Sequence, residues 1–267
     1  MWDIDFISKD NFRKHVKETI EKYGEKLKPI DLKQFNKNIV DPVKMLFDKN
    51  VYGCTWEEII KNEIFRQRDK SNNNAIGYFH QRIFQYIDGC KVPDNGWDVI
   101  YVTKNGIKID NNTTVHKIYV EMKNKHNTMN SAAAGKTMIK MQNQIIDDDD
   151  SVCFLVEAIA QKSQNIKWQV TVDKKKISNK RIRRVSMDEF YSLITGDKYA
   201  FYKICKALPI VIKEIINTQE KRVIPDDTVI KELKEMTKNL KINMEDLAIQ
   251  TAIFMLGFGN YKGFEKN

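Results

Sequence analysis

Two stretches in the middle of the chain decide how it is read: Asn95-Gly-Trp-Asp98 and Val115-His-Lys-Ile-Tyr-Val-Glu-Met-Lys123. In the second, Ile118 and Val120 alternate with Tyr119 and Glu121, the two-residue period of a strand. That period puts Glu121 and Lys123 on one face, at the end of the strand. Trp97 to Thr103 is short, apolar and β-branched, and reads as an earlier strand with Asp98 at its head. The 22 residues from 99 to 120 separate Asp98 from Glu121, ample for a hairpin that brings the two carboxylates together. Two carboxylates on adjacent strands offer hard oxygen ligands that suit Mg²⁺. A lysine beside them can orient a water and offset charge on a phosphate. Phosphodiester hydrolysis needs that set. A lone Glu-x-Lys at a strand end is common; its conjunction with an aspartate heading a neighbouring strand is far more specific.

Working outward, Ala75 to Ile87 reads as an amphipathic helix, with Ile76, Phe79, Ile83, Phe84 and Ile87 on one side and Asp88-Gly89 ending it. Ser71-Asn-Asn-Asn74 reads as a break before it. Lys104-Asn-Gly106 reads as a hairpin turn, Ile107-Lys-Ile109 as a strand, and Asp110-Asn-Asn112 as a second turn. Ser131 to Ile146 reads as a helix. Val152 to Ile159 is a continuous apolar run, as in a strand buried on both faces. Ile166 to Val172 is another strand. A basic stretch, 174–184, precedes a short strand, Val185-Ser-Met187, and Ser186-x-x-Glu189 caps a helix through Ile194. Helices are predicted over Phe12–Tyr23, from Thr55, and over Phe201–Asn217, Asp227–Leu240 and Met244–Leu256. The expected architecture is α/β, a mixed central sheet flanked by helices, with helical N- and C-terminal extensions. It is read as a single domain over 1–267: an extension over 1–70, a catalytic core over 71–200 and an extension over 201–267.

The chain has 267 residues, 42% hydrophobic and 30% charged, the composition of a folded globular protein. Its 45 Lys+Arg against 36 Asp+Glu leave +9, which fits a polyanionic partner and equally fits a Lys- and Asn-rich composition. The start carries no basic segment followed by an apolar run, so no signal peptide is expected. No stretch approaches a membrane span. Cys54, Cys90, Cys153 and Cys205 lie far apart without Cys-x-x-Cys, which argues against a disulfide framework and for a reducing, cytoplasmic setting. His15, His80, His116 and His126 form no ligand pair at helical spacing.

The region 75–195 resembles the PD-(D/E)xK nuclease superfamily, and more closely type II restriction endonucleases. The likeness rests on Ala75-Ile-Gly-Tyr-Phe-His-Gln81, Gly96-Trp-Asp-Val99 and Val120-Glu-Met-Lys-Asn-Lys-His-Asn-Thr-Met-Asn-Ser131. The last of these is similar to enzymes that cut GGNCC-type sites such as GGWCC. Asp188-Glu-Phe-Tyr191, Gly196-Asp197, Ala200-Phe201 and Leu208-Pro209 extend the likeness over most of the chain after residue 50. The resemblance implies Asp98 and Glu121 as metal-binding carboxylates, Lys123 as the catalytic lysine and the main-chain carbonyl of Met122 as a further ligand of Mg²⁺. Gln81 stands where many relatives carry a glutamate, a departure that bears on a second metal. Pro93-Asp94 spells the superfamily's nominal dipeptide, but it precedes the strand, and Asp98 is preferred. The resemblance further implies cleavage of double-stranded DNA at a short palindrome, 5′-phosphate ends, a two-fold homodimer and a partner methyltransferase.

Asn124, Lys125, His126, Asn127, Thr128, Asn130 and Ser131 follow the catalytic strand and could contact phosphates or bases. Asn130 or Ser131 reads equally as the cap of the next helix. The seven basic residues of 174–184 could track a DNA backbone or simply form an exposed loop. Asn130-Ser-Ala-Ala-Ala-Gly-Lys136-Thr137 falls one glycine short of a P-loop, and Ala132–Ala134 suit a helix interior. His126-Asn127 hints at an HNH nuclease, without a second histidine cluster. Glu157 reads as a satisfied core or strand-end acid, and Asp147 to Asp150 as a solvated loop. Two other functions are compatible with the same core: a repair or recombination nuclease, and a DNA-binding protein that no longer cleaves.

Overall fold

The computed structural model describes residues 2–25, 28–37, 39–110, 113–172, 174–218, 226–240, 242 and 244–258, the side chains of 109, 110 and 239 excepted. The chain divides into two compact units, Met1–Glu21 with Asn74–Glu220 and Lys22–Asn73 with Lys221–Asn267. These boundaries differ from the sequence-predicted divisions at 70 and 200. Residues before 22 and residues 201–217 pack with the sheet, while 22–73 joins the C-terminal helices.

The first unit is built on a six-stranded mixed sheet. Its strands are β1 (Cys90–Lys91), β2 (Val99–Asp110), β3 (Thr113–Lys125), β4 (Ser151–Ile159), β5 (Asn165–Val172) and β6 (Lys175–Ser186), in the order β1-β2-β3-β4-β6-β5. β1, β2 and β3 are mutually antiparallel neighbours, β4 lies parallel to both β3 and β6, and β5 closes the far edge antiparallel to β6. The β3–β4 crossover is the helix α5 (Ser131–Asp147), as a parallel pair requires. The apolar run of β4 is explained by its position. Val152, Phe154 and Val156 enter one core with Val120, Phe84 and Phe190, while Cys153 and Leu155 enter the opposite core with Met138, Met141 and Ile182. Each such buried side chain stabilises the fold by about 1.5–3 kcal/mol. α5 covers the second face. The first is covered by α6 (Met187–Thr195), α7 (Ala200–Asn217) and the start of α1 (Lys9–Glu25).

Three local readings are corrected. Lys104-Asn-Gly106 is not a hairpin turn, because β2 runs through it. The pairing jumps from Val102↔Lys117 to Ile107↔Val115, so Thr103–Gly106 bulge out of the ladder. Gly106 supplies the left-handed conformation there (φ 70°), and a Cβ would sit 2.5 Å from Thr114 Cγ2. The second predicted turn includes residues 111 and 112, outside the described residues. Ser71-Asn-Asn-Asn74 is not a break either, since α4 runs unbroken over Trp56–Arg82. Asparagine costs a helix about 0.7 kcal/mol at most per residue. The buried Ile60 and Ile64 before it and Ala75 and Phe79 after it outweigh that. The basic stretch is strand rather than loop: it is most of β6, held between β4 and β5.

The second unit is helical. α2 (Leu32–Asn36), α3 (Pro42–Tyr52), the residues of α4 up to Asn73, α8 (Val229–Thr237) and α9 (Glu245–Phe258) surround Phe35, Met45, Trp56, Ile60, Leu233 and Ile253. The predicted capping box is formed, with Thr55 N donating to Glu58 Oε2 (2.8 Å) and Glu58 N to Thr55 Oγ1 (3.2 Å). Asp227 clamps the unit's two chain segments together. Its carboxylate accepts both Arg68 Nη2 (2.7 Å) and Ile30 N (2.8 Å).

Candidate active site

The β2–β3 ladder begins at Val99↔Val120, and the residue just before it, Asp98, continues the pairing with its side chain. Asp98 N donates to Val120 O (3.0 Å), while Met122 N donates to Asp98 Oδ2 (2.6 Å). The carboxylate is thus pinned across β3, between Glu121 and Lys123. Gln81, on the last turn of α4, donates Nε2 to the Asp98 carbonyl (3.3 Å). Gln81 therefore reaches the site through the backbone of Asp98.

Glu121 carries a lysine on each oxygen: Lys123 Nζ on Oε1 and Lys140 Nζ on Oε2, both at 2.7 Å. Lys140 lies on α5, and no motif in the sequence pointed to it. The two acids titrate in opposite directions. Burial raises the Asp98 carboxyl above the ordinary aspartate range, against the pull of the Met122 N–H, and the charge of Glu121 pushes the same way. Burial would raise Glu121 as well, but the hydrogen bonds and charges of Lys123 and Lys140 outweigh it and hold the carboxyl low. Two neighbouring carboxylates, one of them destabilised as an anion by burial, form a donor set that a hard divalent cation fits. Among the described residues no group of three or more His, Cys, Asp and Glu gathers into a larger metal cluster.

The site opens on a cleft of about 440 Å³ lined by Asn74, Gly77, Tyr78, Gln81, Asp98, Met122, Lys123 and Asn124. Gly77 makes room in it, for a Cβ there would meet Asn124 Oδ1 at 3.2 Å. Neither Asp94, the alternative aspartate, nor Glu121 is part of that lining, and Glu121 adjoins it through Lys123.

The segment from the last residue of β3 to the start of α5 divides in two. Lys125, Asn127, Thr128 and Ser131 are exposed. Asn130 is the N-cap of α5, its side chain accepting from Ala133 N (2.8 Å). Because α5 starts at Ser131, Ala132–Gly135 are helical and no phosphate-wrapping loop exists there. His126 turns inward: its Nδ1 meets Arg184 Nη2 at 2.5 Å and lies 3.4 Å from Glu157 Oε2. Glu157 itself is 2% exposed and ion-paired with Arg184, the satisfied acid that its apolar setting predicts. The acidic run is more engaged than a solvated loop. Asp148 accepts from Lys117 (2.9 Å) and Tyr119 (3.1 Å), and Asp150 Oδ1 from His116 N (3.0 Å). In the basic strand Lys180, Arg181, Arg183 and Arg184 bond within the fold, to Thr113, Asp149, Asn165 and Glu157. Lys174, Lys175 and Lys176 are exposed.

A six-stranded mixed sheet covered by helices on both faces is a core of the restriction-endonuclease type. The chain belongs to the Eco47II restriction endonuclease family, type II restriction enzymes whose family model matches residues 4–217. Two relatives are type II restriction enzymes by name. Sau96I of Staphylococcus aureus is 28% identical over 224 residues, covering 81% of this chain and 82% of the relative. Eco47II of Escherichia coli is 27% identical over 241 residues, covering 85% and 96%. No helix among the described residues is long and apolar enough to cross a membrane.

Proposed function

We propose that this protein hydrolyses phosphodiester bonds of double-stranded DNA at a short palindromic site of the GGNCC type, with Mg²⁺, leaving 5′-phosphates. The observation that carries this reading is that Asp98 and Lys123 line one cleft, with Glu121 beside them on the same strand, bonded to Lys123. Asp98 and Glu121 would hold the cation, with the carbonyl of Met122 as a third protein oxygen. Bound there, Mg²⁺ would lower the pKa of a water and stabilise charge on the phosphoryl oxygens. Lys123, already oriented by Glu121, would hold the attacking water and offset the developing charge. Gln81 would fix the backbone that carries Asp98. Lys125, Asn127, Thr128 and Ser131 are the exposed candidates for DNA contact, joined by Asn124 at the cleft wall. For His126 and Asn130, internal bonds favour supporting roles.

A palindrome read by one chain per half-site calls for a two-fold dimer. The same reading includes a methyltransferase that protects the site in the cytoplasm where the enzyme works, and a catalytic core over 71–200. The test is digestion of unmethylated phage DNA with Mg²⁺ and sequencing of the fragment ends. Discrete ends at one sequence are expected, and D98A, E121A and K123A should each abolish them while folding is kept. Full cleavage by E121A would refute the assignment, and loss of cleavage in D94A alone would move the metal-binding aspartate to Asp94.

A further inference from the structure

Lys140 meets three partners at once. Its ammonium is 2.7 Å from Glu121 Oε2, 2.5 Å from the carbonyl oxygen of Gly96 and 4.1 Å from the centroid of the Trp97 ring. One turn further along the same helix face, Gln144 Oε1 accepts from Trp97 Nε1 (2.9 Å). α5 is thereby keyed to the turn that carries Asp98, two elements away from the strand that carries Glu121. Glu121 meets two lysine side chains, Lys123 and Lys140, one on each oxygen. Both oxygens of Glu121 are taken. A cation that binds Glu121 Oε2 therefore competes with the Lys140 ammonium for that oxygen, by charge and by space. Lys140 is suited to yield, because Gly96 O and the face of Trp97 still receive its charge after Glu121 is given up.

We propose that Lys140 is the resident counter-ion of the site. It occupies Glu121 Oε2 until a divalent cation takes that oxygen, and so sets the metal affinity from outside the Asp98–Glu121–Lys123 set. Lys140 is then a positioning residue, acting through Glu121 and through the Gly96–Trp97 turn. The inference rests on the reading of Asp98 and Glu121 as metal ligands. Its sign separates it from a structural role: a mere anchor, once removed, weakens metal binding, whereas a competitor, once removed, strengthens it.

The test is a Mn²⁺ titration of the metal-free, full-length protein, with free Mn²⁺ read by electron paramagnetic resonance, for wild type, K140M, K140Q, K140R and E121A. K140M and K140Q should bind Mn²⁺ more tightly, within the roughly 5- to 150-fold span usual for coupled sites. K140R, which keeps the charge, should stay close to wild type. Melting adds a second readout. K140M should melt lower than wild type in EDTA and gain more from saturating Mn²⁺. Unchanged or weaker binding by folded K140M and K140Q overturns the inference and leaves the metal reading standing. K140Q answers for K140M if the latter does not fold. No Mn²⁺ binding by wild type, or binding unaltered in E121A, overturns the metal reading and the inference with it.

Discussion

Truncating Glu157 should be among the most damaging single changes in the sheet unit. Its carboxylate is buried and accepts from Arg184 through Nε (2.9 Å) and Nη2, with His126 Nδ1 3.4 Å away. In E157A the guanidinium keeps its charge and loses its counter-ion inside the fold. Breaking a buried pair from one side costs about 3–5 kcal/mol. The same range holds for R184M, which strands the carboxylate. The double variant E157L/R184M strands neither charge and fills similar volume, so it should lie within about 1–2 kcal/mol of wild type. Closed with the single variant E157L, which strands the guanidinium as E157A does, the cycle of wild type, E157L, R184M and the double variant has a coupling energy of about 4 kcal/mol or more, above the range usual for contacting residues. Urea titrations of these four proteins and of E157A, followed by circular dichroism and tryptophan fluorescence, measure the cycle and the truncation. For a protein of this size the single variants should melt roughly 6–20 °C lower. A cost below about 1 kcal/mol for E157A, or a double variant no more stable than either single one, would refute the reasoning. Glu157 is also in register with Lys123, so E157A should slow cleavage without abolishing it.

Other expectations are narrower. Asn130→Ala removes the cap of α5 and should cost about 1 kcal/mol in urea unfolding; cleavage should keep its sequence preference, and a relaxed preference would show that Asn130 reads bases. Gly106→Val places a branched side chain at positive φ against Thr114 and should lower stability by more than about 1 kcal/mol, whereas Gly53→Ala, equally left-handed but with open space around it, should cost less in the same denaturation assay. Glu63 is held below the ordinary glutamate range: burial alone would raise it, but hydrogen bonds from Arg66 and Gln67 and the charge of Arg66 outweigh that. Its folded pKa lies under its unfolded one, so its contribution is present at neutral pH and lost as pH falls through the folded value. Between about pH 6 and about pH 3 the urea midpoint of wild type should therefore drop more than that of E63Q.

The strand-borne part of the site was legible because its geometry is local. Glu121 and Lys123 are two residues apart, and a strand has only two faces, so their common side follows from pattern alone. Asp98 needed one more inference, the hairpin, and the antiparallel β2–β3 pair supplies it. Lys140 was not legible: it lies 19 positions after Glu121, across a loop and half a helix, and nothing in its neighbourhood marks it. The misread turn at Lys104-Asn-Gly106 shows the limit of local signals. Asn-Gly does announce a left-handed residue, and Gly106 is one, but a bulge uses the same conformation as a hairpin. The basic stretch misled for a different reason. Arginines looked like solvent-facing charge, yet Arg183 and Arg184 find Asn165 and Glu157, partners brought by neighbouring strands. Polar Ser71–Asn74 likewise reads as a breaker only when the apolar faces on both sides are left out of account.

The helical unit has a consequence for synthesis. Its core joins Phe35, Trp56 and Ile60 to Leu233 and Ile253, and Arg68 to Asp227, across the whole length of the nuclease core in sequence. A nascent chain that has emerged through residue 217 holds every strand, and Asp98, Glu121 and Lys123 with them. It still exposes the apolar faces around Trp56 and Ile60, whose cover arrives with α8 and α9. Loop closure over such a span is entropically costly only by a slow logarithm, but it cannot begin before the last helices leave the ribosome. Translation order therefore places completion of this unit after that of the sheet, and premature termination downstream of α7 yields a chain with its sheet encoded and its helical core half built.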